Sequence, residues 1–499
     1  MPCFAPLVHR TDRWTVATKA DARATVVGRA ESSDLEGNVH MVPVSKVDEA
    51  SLAGEGGSLD DGLPRASVEY RIEGRSVVQQ ISIGDLTSIA TRPAPAGMRK
   101  APADAWWRSY LAGKSPEPVE HRGRINYVDL FCASGGLSTG FEEAAMAFGL
   151  EAQSLMGVDM DARALQVYEQ NHRPMATSTT SVDALVDFPL DETLQQQRLA
   201  GSPTILDPDL RYLTGKVDVV LAGPPCQGHS SLNNAMRYED PRNRLYVYPA
   251  VIAIALGASG VVIENVPGVR RDRGTICQRT EALLEAHGYR VRGLKIKAEA
   301  IGWPQTRHRY FLVAVKDGDP SHVDAFVEAL AMPARPISWA IEDLLGSCGD
   351  GVLDTTPELS EENKRRVEWL FEVEEDGSER FDLADSERPD CHRTKEHSYR
   401  SSYGRMRWDR PSGTLTTGFS TPGRGRFVHP KEPRVLTPHE AARIQGFPDG
   451  YFTEVVGGVQ VGRTEISKWI GDAVPAPLGF AASIGLVSQL LGLSTWSPR

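Results

Sequence analysis

Residues 217–222 form a short, mostly apolar run that leads straight into Gly223-Pro224-Pro225-Cys226-Gln227-Gly228-His229-Ser230. A run of this length, ended by Gly-Pro-Pro, reads as a strand buried on both faces, as in parallel sheets. In open α/β sheets, ligands bind just beyond the carboxyl ends of the strands. The two prolines stiffen the loop, so Cys226 is held at a fixed height above such a crevice. A cysteine alone is usually a small buried hydrophobe. Here the flanking residues make it a candidate nucleophile.

The same alternation of strand, turn and helix recurs on either side. Residues 125–131 read as a strand, Gly135-Gly136 as a tight turn, and Leu137, Phe141, Ala144 and Phe148 as one face of a helix. A second strand over 153–158 ends in Asp159. An acidic residue there can accept ribose hydroxyls, or it can cap the helix expected over 162–170; the two roles are compatible. Residues 259–263 form another buried strand, running into Glu264-Asn265-Val266-Pro267-Gly268. A strand-end Glu can equally be a cap or salt-bridge partner. Gln305-Thr306-Arg307-His308-Arg309 leads into a strand over 310–315, and arginines two apart share a face. Strands alternating with helices imply an α/β fold with a doubly wound, mainly parallel sheet.

Length and composition set the remaining bounds. A chain of 499 residues suggests two to four domains, and 40% hydrophobic residues can fill a substantial core. Cysteines at 3, 132, 226, 277, 348 and 391 show neither metal-ligand nor disulfide spacing, so no metal and a reducing cytosol are expected. No signal segment or bilayer-length apolar run is evident. The first 120 residues differ in character. Residues 31–62 read as loop, residues 68–83 as a hairpin about Glu73-Gly74, and 91–102 as a Pro/Ala linker, with Trp106, Trp107 and Tyr110 anchoring a short helix.

The net charge of -11 opposes nucleic-acid binding only if it is spread evenly. It is not. Residues 355–390 are acidic, with an amphipathic helix expected over 361–371. Arg393, Lys395, Arg400, Arg405, Arg407, Arg410, Arg424 and Arg426 then alternate with Tyr399, Tyr403, Trp408 and Phe427. Basic residues among aromatics suit a phosphate and base surface. The competing reading is that these arginines hold the acidic helix of their own domain.

Together these segments resemble the bacterial-type cytosine-C5 DNA methyltransferases. The resemblance rests on the Cys226 octapeptide and on Asp129-Leu-Phe-Cys-Ala-Ser-Gly-Gly-Leu-Ser. Asp240-Pro241-Arg242 with Leu245, Glu264-Asn265-Val266 and Gln305-x-Arg307-x-Arg309 add to it. So do Arg410-Pro-Ser-Gly-Thr414, Leu436-Thr437-Pro438-His439-Glu440 and Ile470-Gly-Asp-Ala-Val-Pro. It covers about residues 125–491, outside a variable stretch.

The resemblance implies an S-adenosylmethionine-dependent, Rossmann-like methyltransferase sheet over 121–316 and 409–499. A small target-recognition domain is inserted at 317–408, and residues 1–120 are an N-terminal extension. The implied catalytic residues are Cys226, Glu264, Arg307 and Arg309. The implied cofactor residues are Phe131, Gly135, Gly136, Leu137, Asp159, Met160, Asp183, Pro225, Leu245, Asp472 and Val474, with Ser181 competing for the Asp183 position. Gln227, Ser230, Thr414, Arg400, Arg405 and Arg407 are the DNA-binding candidates, and residues 228–240 the flap that closes over DNA. The chain departs from the family at Ala133, usually Gly, and at Asp472, usually Asn. Double-stranded DNA is the implied partner, a cognate restriction endonuclease a candidate one, and a monomer is expected. The rivals are an RNA cytosine methyltransferase, whose tRNA-acting branch carries a Cys-Phe-Thr signature missing here, and a catalytically silent DNA-binding relative.

Overall fold

A computed structural model describes residues 107–114, 123–188, 202–226, 240–316, 318–320, 322–346, 349–374, 376–393 and 401–491, together with four strands nearer the N-terminus. Those strands are β1 (Val27–Ser32), β2 (Val39–Pro43), β3 (Arg65–Ile72) and β4 (Arg75–Ser82), in the order β2-β1-β3-β4. The expected hairpin is present: Ile72 pairs with Arg75 across Glu73-Gly74. Strand β2 falls inside the 31–62 stretch that reads as loop. It pairs antiparallel with β1, Ser32 opposite Val39, in a hairpin that the loop-like composition of this stretch does not report.

The main sheet contains β5 (Gly123–Leu130), β6 (Leu150–Val158), β7 (Ala176–Ser178), β8 (Val219–Ala222), β9 (Gly260–Asn265), β10 (Tyr289–Lys297) and β11 (His308–Lys316). Their order is β10-β11-β9-β8-β5-β6-β7. Neighbours from β7 to β9 are parallel, and β11 runs antiparallel to both β9 and β10. The sheet therefore winds outward in two directions from the β5–β8 pair. That pair is the topological switch point, where α/β folds open a crevice at the strand ends.

Helices cover both faces. The longer helices of the described residues are α1 (Gly136–Ala147), α2 (Ala162–His172), α3 (Tyr248–Leu256), α4 (Ile276–Ala286), α5 (His322–Ala329), α6 (Glu361–Trp369, in the inserted lobe), α7 (Pro438–Gln445), α8 (Arg463–Asp472) and α9 (Ala476–Leu490). Every residue of β8 and β9 is buried. Val219 and Leu221 join the layer containing Phe141 of α1 and Leu486 of α9, while Val220 and Ala222 join the layer containing Val251 of α3 and Leu284 of α4. This period of two is why the run must be apolar throughout. The stretch 463–490 is apolar enough to cross a membrane by composition, yet its most apolar window is 89% buried inside the fold. It is a core segment.

Two tertiary contacts depart from the domain limits expected from sequence. The short helix at 107–111 packs into the main core: Trp107 meets Trp303 edge-on at 5.1 Å, and Asp449 N–H donates to Leu111 O at 2.8 Å. At the other boundary, Val323, Ile337 and Trp339 also belong to the main core. The inserted lobe has its own small core of Val367, Leu370, Leu383 and Val428. It thus starts later and ends later than 317–408.

Trp303 lies between Trp107 and Trp339 and donates its Nε1–H to Ile444 O at 2.7 Å. Trp107→Ala should therefore lower stability by about 3 kcal/mol, as for large core truncations. A double-mutant cycle with Trp303→Ala should show coupling. Urea unfolding checks both, and an unchanged midpoint for Trp107→Ala would detach this helix from the core.

Candidate active site

The strand register sets the site. Ala222 pairs with Ile263, so the next residues, Gly223 and Pro224, come alongside Glu264 and Asn265. Asn265 donates its side-chain amide to Pro224 O at 3.2 Å, and Gly223 N–H donates to Leu130 O at 3.1 Å. The loop carrying Pro225 and Cys226 is thereby anchored to both neighbouring strands. Cys226 is half-buried, whereas Cys132 and Cys277 are buried. Burial pushes the Cys226 thiol up; the Arg309 and Arg307 charges oppose that, and Glu264 adds to it. All three side chains therefore bear on the sulfur.

Glu264 is 6% exposed. Burial raises its pKa against the pull of Arg309 and Arg307. Its Oε1 lies 2.7 Å from Arg309 Nε, but the angle leaves that oxygen without a well-directed hydrogen bond. A buried carboxyl oxygen without a directed donor is ready for a ligand. Arg307 is also buried but differently used. It donates to Leu415 O at 2.9 Å and Ala473 O at 3.2 Å, leaving Nε unpartnered. Arg307 thus braces the strand against the C-terminal segments, and Arg309 faces Glu264. Around it Gln305 donates to Gln445, Thr306 N–H donates to Ser412 O, and Thr414 Oγ1–H donates to Thr306 O. The Thr414 hydroxyl is thus first a stitch across this junction, with its lone pairs still available.

The crevice continues to the end of β5. Phe131 and Ala133 both have left-handed backbones, φ 58° and 45°. That costs roughly 1–2 kcal/mol per residue away from glycine and explains why a glycine suits position 133. The turn is held by Ala133 N–H donating to Asp159 Oδ2 at 2.9 Å and by Gly135 N–H donating to Cys132 O at 2.8 Å. Gly135, at φ 93°, has no room for a Cβ, which would come 2.1 Å from His172 Nε2. A Cβ on Gly136 would meet Val474 O at 2.1 Å, so the turn packs directly on the 472–474 segment. Leu137 points into the core, and only its backbone can face a ligand.

Asp159 stands at the end of β6, its Oδ1 accepting Asp161 N–H at 2.8 Å. The helix cap considered for Asp159 is supplied by Asp161, whose carboxylate accepts from Arg163 and Ala164. Asp159 is therefore free of that duty. Met160 beside it is 73% exposed, an apolar surface at the crevice edge. Asp183 accepts a hydrogen bond from Ser181, so the two candidates for one position occupy it together. Leu245 is half-buried on the 3-10 turn Pro241–Val247, capped by Asp240. Asp472 pairs with Lys468 at 3.3 Å. This set fits S-adenosylmethionine: a carboxylate for hydroxyls, an apolar flank, and a glycine turn pressed against the opposite wall.

The basic stretch divides. Arg405 is 5% exposed, donates to Pro430 O, Leu370 O and Glu379, and lies 4.1 Å from the Phe371 ring. Its guanidinium is engaged inside the lobe. Arg426 is likewise tied to Phe381 O, Arg405 O and Asp382. Arg407 is exposed and stacks on Phe381 at 3.9 Å. Gln227, Ser230, Arg400 and most of the 228–240 flap lie outside the described residues.

Lys468 and Asn265 were not foreseen as site residues. Asn265 stands inside a recognised motif, but nothing local to Lys468 marks it.

The electrostatics of Cys226 can be tested directly. Its thiolate is the form that alkylates, so iodoacetamide labelling should rise through and beyond the pH range of a free cysteine. Glu264→Gln should lower the midpoint and Arg309→Ala should raise it further. Peptide mass spectrometry across pH reads each. The reverse order would mean that these charges do not reach the sulfur.

The model of the C-5 cytosine-specific DNA methylase family matches residues 125–483. The chain is 41% identical to the Type II methyltransferase M1.BsuMI of Bacillus subtilis (strain 168) over 363 residues, 72% of this chain and 80% of that protein. It is 28% identical to the Type II methylase M.HgiDII of Herpetosiphon aurantiacus, covering 73% of this chain and 96% of that one. A crystal structure of a putative DNA modification methyltransferase encoded within a prophage (E. coli) aligns with TM-score 0.47 and 23% identity, over 74% of this chain and 99% of that one. With its strand-end cysteine, buried glutamate and glycine turn in the family order, this chain belongs to the C-5 cytosine-specific DNA methylases.

Proposed function

We propose that the protein methylates carbon 5 of a flipped-out cytosine in double-stranded DNA through a covalent Cys226 adduct, with S-adenosylmethionine as donor. The observation that carries this reading is the Cys226–Glu264–Arg309 constellation at the β8 and β9 ends, one strand from the glycine turn.

Carbon 5 of cytosine is too electron-poor to be alkylated directly. The Cys226 thiolate adds to carbon 6, and the ring electrons move toward carbon 5. Glu264, raised by burial, holds N3 and the exocyclic amine and shares the proton that relieves the ring's charge. Arg309 keeps Glu264 aimed and offers its remaining donors to O2 of the base. When bound, S-adenosylmethionine supplies an electrophilic methyl group to carbon 5. Loss of the carbon 5 proton and expulsion of Cys226 then restore the aromatic ring and the free thiol. Asp159, Asp183, Met160, Leu245, Val474 and the glycine turn would hold the donor. None of this is possible inside a base stack, so the cytosine must leave the duplex. The lobe built on Val367, Leu370, Leu383 and Val428 is the proposed target-recognition domain. Since the relatives are named Type II methyltransferases, a cognate endonuclease is part of this reading.

Cys226→Ser should abolish methylation while leaving duplex binding largely intact, because phosphate contacts lie elsewhere. Duplexes carrying 5-fluorocytosine should trap the wild type as a covalent adduct, since fluorine stands in place of the carbon 5 proton and cannot leave as a cation. Bisulfite sequencing and denaturing gels read these outcomes. Methylation by Cys226→Ser, or the lack of any adduct, would sink the mechanism.

The lobe's arginines should separate cleanly. Arg405→Ala should cost roughly 2–4 kcal/mol of stability, because it strands buried carbonyls. Arg407→Ala should leave the thermal midpoint nearly unchanged but weaken DNA binding and flatten its salt dependence, or relax one position of the target site. Binding to a randomised-site library at several salt concentrations distinguishes these. If Arg407→Ala keeps affinity, site preference and salt slope, readout lies elsewhere in the lobe.

A further inference from the structure

One cation joins the two sides of the cofactor crevice. Lys468 lies on α8, one turn before Asp472. Its ammonium is 2.8 Å from Asp161 Oδ2 and 3.3 Å from Asp472 Oδ2. The Asp161 backbone N–H is in turn held by Asp159, and its other carboxylate oxygen caps α2. The chain just beyond Asp472 offers Ala473 O to Arg307 and presses Val474 O onto Gly136. The turn after β6 and the end of α8 are therefore bridged by Lys468. A second bridge, Arg163 Nε to Glu465 Oε1 at 3.4 Å, joins the same two helices farther from the crevice.

We propose that Lys468 is a positioning residue for S-adenosylmethionine: it clasps Asp161 to Asp472 and so holds Asp159, Gly136 and Val474 at the spacing the donor needs. This rests on the cofactor reading above. Without the ammonium, Asp161 and Asp472 would face each other with no counter-charge, and like charges at that range push the segments apart. The Lys468 side chain is 52% exposed, so each bridge is modest and screened by salt. Its effect lies in geometry, because it touches neither the reacting sulfur nor the base. The arrangement also accounts for an acidic residue at 472, whose charge is balanced by its neighbour one turn back.

The test is calorimetric titration of the full-length protein with S-adenosylmethionine and with S-adenosylhomocysteine, at low and at high salt. Lys468→Ala should weaken both ligands about 5- to 10-fold, by similar factors, from the loss of two exposed bridges. It should also remove most of the salt dependence seen in the wild type. Lys468→Arg should restore affinity to within about twofold of the wild type. Should Lys468→Ala not fold, Lys468→Gln serves in its place, with the same expected loss. Unchanged affinity for both ligands overturns the clasp. So does a change confined to the charged donor, because that would indicate a direct field on the sulfonium. A wild type that binds neither ligand overturns the cofactor reading itself, and the clasp falls with it.

Discussion

The pairing of β8 with β9 is the constraint on which the site depends. Once Val219 lies beside Gly260, the residues after Ala222 must pass beside Glu264 and Asn265. A slip of one residue would turn each strand's buried set to the wrong face, and both strands are buried on both faces. The position of Cys226 is thus underwritten by the core of the domain. The hydrogen bond from Asn265 to Pro224 O converts that register into a fixed loop height. Cys226 then needs little further support of its own.

The electrostatics follow from the same placement. Burial disfavours charge on both Cys226 and Glu264 and pushes the pKa of each upward. Arg309 tempers both tendencies without cancelling either. Such a balance suits a nucleophile that is to be ionised only when a base is in place. Arg307, two residues before Arg309, has its guanidinium engaged by Leu415 O and Ala473 O. Its charge reaches the site while its donors hold the domain together.

The glycine turn after β5 shows how a residue other than glycine can be absorbed at position 133. Ala133 adopts the left-handed backbone that glycine takes more easily, and Asp159 holds its N–H in place. Gly135 and Gly136 have no such latitude, because His172 and Val474 stand where a Cβ would be. Positions within one turn therefore tolerate change very unequally. The local conformation alone does not distinguish them; their neighbours from distant segments do.

What the sequence by itself determined is whatever depends on short-range physics. The apolar runs of β8 and β9 and the hairpin at Glu73-Gly74 were all legible. The cysteine loop and the order of its motifs were equally plain, since they are contiguous. Only the tertiary structure decided how residues of one type divide their work. Arg405 and Arg407 differ by two positions in one basic stretch, yet one is buried among carbonyls and the other is exposed on a ring. The same holds for Asp159 and Asp161, for Arg307 and Arg309, and for Trp107, whose partner Trp303 is remote in the chain. Lys468 carries no local signal at all. Each of these roles is set by which distant carbonyl, carboxylate or ring lies within a few ångströms, and that proximity exists only in the folded chain.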